Sequence, residues 1–182
     1  MKVEATSLPG VLLVRANVLK DARGAFLETW NARDYVAAGI DAAFVQDNLS
    51  LSTQHTLRGL HYQVEQAQGK LVRVAQGEVF DVAVDLRRSS PTFGQSLGMV
   101  LDANTRDALW IPPGFAHGFL VLSETAAFEY KCTDYYAPEH ERAIRWDDPD
   151  LGIDWPLPEG VEPVLSDKDA NATAFQDADT YS

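Results

Sequence analysis

The sequence predicts an all-β chain, folded as an antiparallel sandwich or barrel with a few short helices. Three observations predict it. Short apolar runs recur at regular spacing along the chain. Turn-forming residues such as Pro9-Gly10 and Asp21-Ala22-Arg23-Gly24 stand between them. No strand–helix–strand repeat appears, which argues against a doubly wound parallel sheet.

Taken in order, residues 11–15 form a short apolar run after Pro9-Gly10, and 25–30 form another after the turn at 21–24. Asn31 is placed to cap a short helix over 32–38, with Asp34 in its first turn and Gly39 as its stop. The stretch 57–63 is strand-like, and its alternation puts Leu57, Gly59, His61 and Gln63 on one face. Residues 71–75 and 79–86 flank Gln76-Gly77-Glu78, a spacing that predicts a hairpin. Runs at 97–101, 108–111, 118–122 and 126–133 continue the series. Between 138 and 163 the chain is rich in Pro, Asp and Trp and reads as a packed, irregular segment. A second helix is expected over 167–176, after Ser166.

Length and composition bound the function. A chain of 182 residues with 46% apolar residues has enough to bury a core, and 1–182 reads as one domain. Fifteen Lys and Arg against 27 Asp and Glu leave a net charge of −12, so no nucleic-acid partner is expected. A phosphate-bearing small ligand needs only a few local cations and stays open. The single cysteine, Cys132, excludes an internal disulfide and reads as a small residue packed in a strand. No apolar run reaches membrane-spanning length, and Met1-Lys2-Val3-Glu4 lacks the apolar stretch of a signal peptide. The expected setting is cytoplasmic, with no membrane partner.

Four histidines invite attention. His55 and His140 lie in polar surroundings and read as surface residues, whereas His61 and His117 sit in strand-like ones. The spacing Pro-x-Gly-x-x-His from Pro112 to His117 resembles the second motif of cupin barrels, where that histidine often binds a metal. The first cupin motif would supply His-x-His and a following Glu. Here Gln63 follows His61, and Glu65 comes too soon. Glutamine is a poor ligand beside imidazole and carboxylate. The expected fold is therefore a metal-free, cupin-like double-stranded β-helix (a jelly-roll barrel).

Other polar residues carry two readings each. Lys70 opens an apolar run, where a lysine is usually solvated. Asp81 alternates with Phe80 and Val82, so it faces solvent or a barrel interior. Tyr130 and Tyr136 share a parity about 20 Å apart along an extended chain, and serve different parts of a long ligand or different core layers. Ser166-Asp167-Lys168-Asp169 has the spacing of a capping box.

The motifs Asp21-x-Arg23-Gly24-x-Phe26-x-Glu28, Gln46-Asp47-Asn48 and Leu57-Arg58-Gly59-Leu60-His61-Tyr62-Gln63 occur in one order. Gln68-Gly69-Lys70, the run from Gly77 to Asp85, the run from Trp110 to Phe119, Tyr130-Lys131 and Ser166-Asp167-Lys168-Asp169 follow. Together they resemble the dTDP-4-dehydrorhamnose 3,5-epimerase family over roughly residues 10–170.

That resemblance implies inversion of C3 and C5 of dTDP-4-dehydro-6-deoxy-D-glucose, with no cofactor and no metal. Both carbons lie beside the C4 ketone, so each C–H is acidified through an enolate. By residue matching, His61 is the base, Asp169 its partner, Tyr130 the acid on the opposite face, and Lys70 the cation at the enolate oxygen. Imidazole titrates near neutral pH in general, which suits it to taking such a proton. Arg23, Glu28, Gln46, Asp47, Asn48, Arg58, His117, Tyr136, Glu141 and Lys168 match substrate-binding positions, with Tyr136 stacked on thymine. Arg58 and Lys168 supply cations for the diphosphate. A homodimer is also implied.

One conflict stays open at this level. Regular alternation puts Arg58 and His61 on opposite faces, so either Gly59 marks a bulge or the two serve different subunits' ligands. Two other functions compete with the double epimerase. One is a single-carbon epimerase or ketoisomerase of a related 4-keto sugar, and the other a noncatalytic sugar-binding cupin. Solvent deuterium uptake by a dTDP-4-keto sugar separates all three.

Overall fold

Two antiparallel sheets face each other in the computed structural model, which describes residues 1–182. One sheet has six strands in the order β1 (Lys2–Ala5), β2 (Leu12–Arg15), β10 (Ala108–Ile111), β7 (Lys70–Gln76), β12 (Thr125–Cys132), β5 (Gln46–Thr53). The other has five, in the order β13 (Glu141–Ala143), β6 (Leu57–Gln63), β11 (Phe115–Val121), β8 (Glu78–Asp85), β9 (Ser96–Asp102). A separate ribbon pairs β3 (Leu19–Asp21) with β4 (Gly24–Phe26). Helices are few: α1 (Ala32–Ala37), α2 (Asp167–Ala170) and one 3-10 turn at Phe175–Asp177. No helix is long and apolar enough to cross a membrane.

Strand parity sorts the apolar residues into layers. Val72, Val74, Leu109, Ile111 and Phe128 from the six-stranded sheet meet Ala83, Phe115 and Phe119 from the five-stranded one, forming the interior core. The intervening residues of the five-stranded sheet, among them Val82, Val84, Ala116 and Leu120, point outward. They are covered by Leu151 and Trp155 of the irregular segment, which packs as its composition predicts. The outer face of the six-stranded sheet is covered in part by Tyr35 of α1 and Ile40, against Val14, Leu71 and Trp110.

Several expectations need correction. Strands β7 and β8 are consecutive but form no hairpin, since β7 pairs with β10 and β12 while β8 pairs with β11 and β9. Gly77 (φ +82°) turns the chain from one sheet to the other, and a Cβ there would lie 2.2 Å from the Thr125 carbonyl oxygen. The run at 25–30 is strand only to Phe26. Asn31 precedes α1 without a side-chain capping bond. The second helix stops at Ala170, because Thr173 pairs with Ile144 and pulls the chain back onto the sheet.

Strand β5 was not legible as a strand. Its interior face carries Gln46, Asn48, Ser50 and Ser52, and its two leucines, Leu49 and Leu51, point outward and are exposed. The usual signal of apolar-in, polar-out is reversed there.

Candidate active site

The polar residues of the interior gather at one end of the sandwich. Cross-strand pairing puts Gln46 beside Cys132, Cys132 beside Lys70, and Tyr130 beside Asn48 on the six-stranded sheet. Opposite them, His61 pairs with His117 and with Ala143, and Gln63 with Glu141. The result is a cleft of about 290 Å³. His61, Gln63 and Glu141 line one wall; Gln46, Asn48, Lys70 and Tyr130 line the other, and Tyr136 closes the rim.

The β6–β11 register settles the conflict over Arg58. His117 faces His61 while Phe119 faces Arg58, so β6 spends two residues where β11 spends one. This bulge falls at Gly59 and Leu60 and returns Arg58 and His61 to the same, interior face. Gly59 (φ +132°) permits it, for a Cβ there would lie 2.5 Å from the Gly118 Cα. Arg58 then reaches across to the other sheet, where its Nε donates to Ser52 Oγ at 3.1 Å.

His61 Nε2 lies 2.5 Å from Asp169 Oδ1. A carboxylate only accepts, so Nε2 carries the hydrogen, and in the neutral ring the lone pair is then on Nδ1. Asp169 is free for this because Ser166 Oγ alone caps α2, accepting from the Asp169 N–H at 3.2 Å. The expected capping box is therefore only half formed. Burial by itself raises the Asp169 carboxyl, but the hydrogen bond and charge of His61 outweigh it, with help from Ser166 and Lys168, and hold it below the usual carboxylate range.

Lys70 is half-buried in the cleft wall and does not extend freely into solvent. Its Nζ lies 3.4 Å from the His61 carbonyl oxygen. Burial pushes its ammonium below the ordinary lysine value, although Cys132, Glu141 and Asp81 pull the other way. Burial likewise pushes the Tyr130 phenol up, with the Arg58 charge opposing. Glu141 binds two partners: Lys168 Nζ at 2.7 Å and the Tyr136 hydroxyl at 2.8 Å. Burial raises the Glu141 carboxyl, but Lys168 and Tyr136 together hold it below its ordinary value.

His117 lies buried beside the cleft, stacked on Phe128, with Nε2 2.9 Å from Asp81 Oδ2. Asp81 thus takes the interior reading, and its other oxygen has no partner. It went unassigned in the sequence; the signal was an acid on the interior parity of an apolar strand. Arg58, His117, Lys168 and Asp169 stand behind the lining residues, and three further expected residues point or lie away from the cleft. The Asp47 side chain points outward to Lys131 Nζ at 2.9 Å. Arg23, paired with Asp21 on the exposed ribbon, and Glu28 line separate surface depressions. No three His, Cys, Asp or Glu side chains converge as a metal cage.

This arrangement suits proton transfer at carbon: an oriented imidazole stands on one wall, and a phenol and a half-buried lysine stand on the other. A profile of the dTDP-4-dehydrorhamnose 3,5-epimerase family matches residues 5–177. The chain belongs to that family. The epimerase of this name from Pseudomonas aeruginosa is 57% identical over 182 residues, covering 100% of this chain and 99% of that protein.

A crystal structure of the Legionella pneumophila dTDP-6-deoxy-D-glucose-3,5-epimerase, in complex with dTDP-4-keto-L-rhamnose, superposes with a TM-score of 0.93 at 51% identity. The match covers 98% of this chain and 94% of that one. A 3'-monoepimerase from Streptomyces bikiniensis, bound to dTDP-quinovose, shares the fold at 35% identity and a TM-score of 0.87, over 93% and 85% of the two chains. The sandwich is thus the cupin barrel that the motif around His117 predicts. The chain is an isomerase, a 3,5-epimerase of dTDP-rhamnose synthesis, and the reading as a noncatalytic binder falls.

Proposed function

We propose that this epimerase inverts each α-carbon by moving protons between opposing walls of the cleft. His61 Nδ1 takes the proton from C3 or C5, and the electron pair passes into the C4 carbonyl as an enolate. Lys70 stabilises the negative oxygen, an effect whose loss in other enzymes typically costs about 10²- to 10³-fold. Tyr130 returns a proton from the other face, then regains one from solvent as His61 gives its own up. Asp169 holds the imidazole tautomer and steadies the imidazolium. The α-proton is acidified by the substrate's own ketone, so the cycle calls for neither a redox cofactor nor a metal.

The observation that carries this reading is the separation of base and acid. His61 comes from the five-stranded sheet and Tyr130 from the six-stranded one, so a sugar ring between them is met from both faces. Arg58 and Lys168 neutralise the diphosphate, and Tyr136 stacks on the thymine. Gln46, Asn48, His117 and Glu141 contact the ligand, and Asp47 contributes through its backbone. Arg23 and Glu28 are remote from the cleft of their own chain, and we assign them to the cleft of a second copy in a homodimer. A cytoplasmic setting goes with a charged diphosphate substrate, which does not cross membranes unaided.

The test is deuterium uptake from heavy water into dTDP-4-keto-6-deoxyglucose, read at C3 and C5 by NMR. Uptake at both carbons is expected, with a loss of about 10²- to 10⁴-fold in a folded His61→Ala variant. Uptake by that variant at the wild-type rate would place the base elsewhere. Uptake at C3 alone would favour the single-carbon chemistry of the more distant relative.

A further inference from the structure

Tyr136 stands on a stretch, 134–137, that belongs to no helix or strand, and its ring is half in solvent. Irregular backbone of this kind usually satisfies its polar groups with water. Here three glutamines do so, and they come from three different places in the chain. Gln68 Nε2 donates to the Asp134 carbonyl at 2.9 Å. Gln63 Nε2 donates to the Tyr135 carbonyl at 3.2 Å, while its Oε1 accepts from the Ala137 N–H at 3.0 Å. Gln46 Oε1 accepts from the Tyr136 N–H at 2.9 Å. Four consecutive residues are thus each held by a side-chain amide.

The choice of glutamine follows from the targets. The loop offers both carbonyls and N–H groups, and a side-chain amide carries two donor hydrogens and an acceptor oxygen on one uncharged group. Gln63 uses all of this: Nε2 also donates to the Gln66 carbonyl at 2.8 Å, so its nitrogen faces two carbonyls and its oxygen an N–H. Reversing the amide would break every one of these bonds. Gln63 is buried, and it sits two residues from His61 on the same face of β6. The position where a metal-binding barrel would carry a second histidine is occupied by the anchor of a loop.

We propose that Gln63 and Gln68, acting with Gln46, are positioning residues that fix the height and tilt of Tyr136 over the cleft and so set the affinity for the nucleotide end of the substrate. This rests on the reading of Tyr136 as the platform for the base. The clamp stabilises one placement of the ring before the ligand arrives, so less ordering remains to be done on binding.

The probe is dTDP, titrated by calorimetry into the intact protein. Gln63→Glu keeps the size and the acceptor but loses both donors and sets a carboxylate against two carbonyls. It is expected to weaken dTDP binding about tenfold and to raise KM more than it lowers kcat. If Gln63→Glu does not fold, Gln68→Met carries the same expectation at the other end of the loop. Tyr136→Ala should weaken dTDP by a similar or larger factor, and adding Gln63→Glu to it should cost nothing further, because the clamp acts through that ring. Additive losses, or normal dTDP affinity in Gln63→Glu beside an impaired Tyr136→Ala, would overturn the clamp and leave Tyr136 as the platform. Normal dTDP binding by Tyr136→Ala would overturn the platform reading and the clamp with it.

Discussion

Lys70 and Tyr130 stand on the same wall of the cleft with their proton affinities moved in opposite directions. Burial lowers the lysine and raises the tyrosine. The kcat/KM profile, which reports the free enzyme, should fall at a pH below the ordinary lysine value. Lys70→Met should lose about 10²- to 10³-fold and should no longer show that alkaline limb; an unchanged limb would remove Lys70 from the reaction. Tyr130→Phe makes a different prediction. It keeps a ring of nearly the same shape, so dTDP should bind as before. Double epimerisation should fall further than deuterium exchange, since His61 still removes and returns a proton on its own face. Normal yield of the rhamnose-configured product would end the acid role of Tyr130. His61, Lys70, Tyr130 and Asp169 are legible as candidates only through the ordered motifs shared with the family, because taken singly a strand-entry lysine and a capping-box acid have plain structural readings. Gln63 and Gln68 are not legible, because an amide that holds backbone looks like any surface glutamine until the loop it holds is seen.

At the scale of the elements, the turn after β8 is held by one carboxylate. Asp85 accepts from the Arg87 backbone N–H at 3.0 Å and from its guanidinium at 2.9 and 2.7 Å. It also accepts from Ser90 Oγ and Thr92 Oγ1 at 2.6 and 2.7 Å. Burial alone raises this carboxyl, but these hydrogen bonds outweigh it and hold the group well below the usual carboxylate range. A depressed folded-state value means stability that is full above the unfolded pKa of about 4 and is lost as pH falls towards the folded value. Asp85→Asn should cost about 2–3 kcal/mol near neutral pH. The gap from wild type, followed by thermal melts, should narrow as the solution is acidified below about pH 4. A gap that stays constant to low pH would mean the charge contributes nothing. The strands themselves were legible wherever one face was apolar, as in β7, β8 and β12. Pairing was not. The hairpin expected around Gly77 rested on loop length alone, and a glycine that turns a corner between sheets leaves the same trace as one in a tight turn. The bulge at Gly59 was legible only as one of two ways to reconcile Arg58 with His61.

For the whole molecule, the outer face of β5 leaves Leu49 59% and Leu51 73% exposed beside an open edge. Such a face is a natural seat for another chain. With Arg23 and Glu28 displaced from their own cleft, a second copy is the partner we assign to it. Leu51→Lys should convert a two-chain species to one chain by sedimentation, and should lose dTDP affinity together with Arg23→Ala. A wild-type protein that sediments as one chain, or a Leu51→Lys variant that stays paired, would refute the assignment.

The corner at Gly77 has a kinetic side as well. Because β7 and β8 part company there, most ladders join strands far apart in sequence; β12, for instance, pairs with β5 and β7, and β11 with β6 and β8. Chains of this topology fold slowly, on the order of milliseconds to seconds. The cleft has one wall from each sheet, so no half-formed barrel contains it and dTDP binds only the finished fold. The nucleotide should then leave the folding rate untouched and slow unfolding, and at about 100 times its Kd it should add about 2.7 kcal/mol of stability. Refolding that accelerates with dTDP would show that the cleft takes shape before the barrel closes.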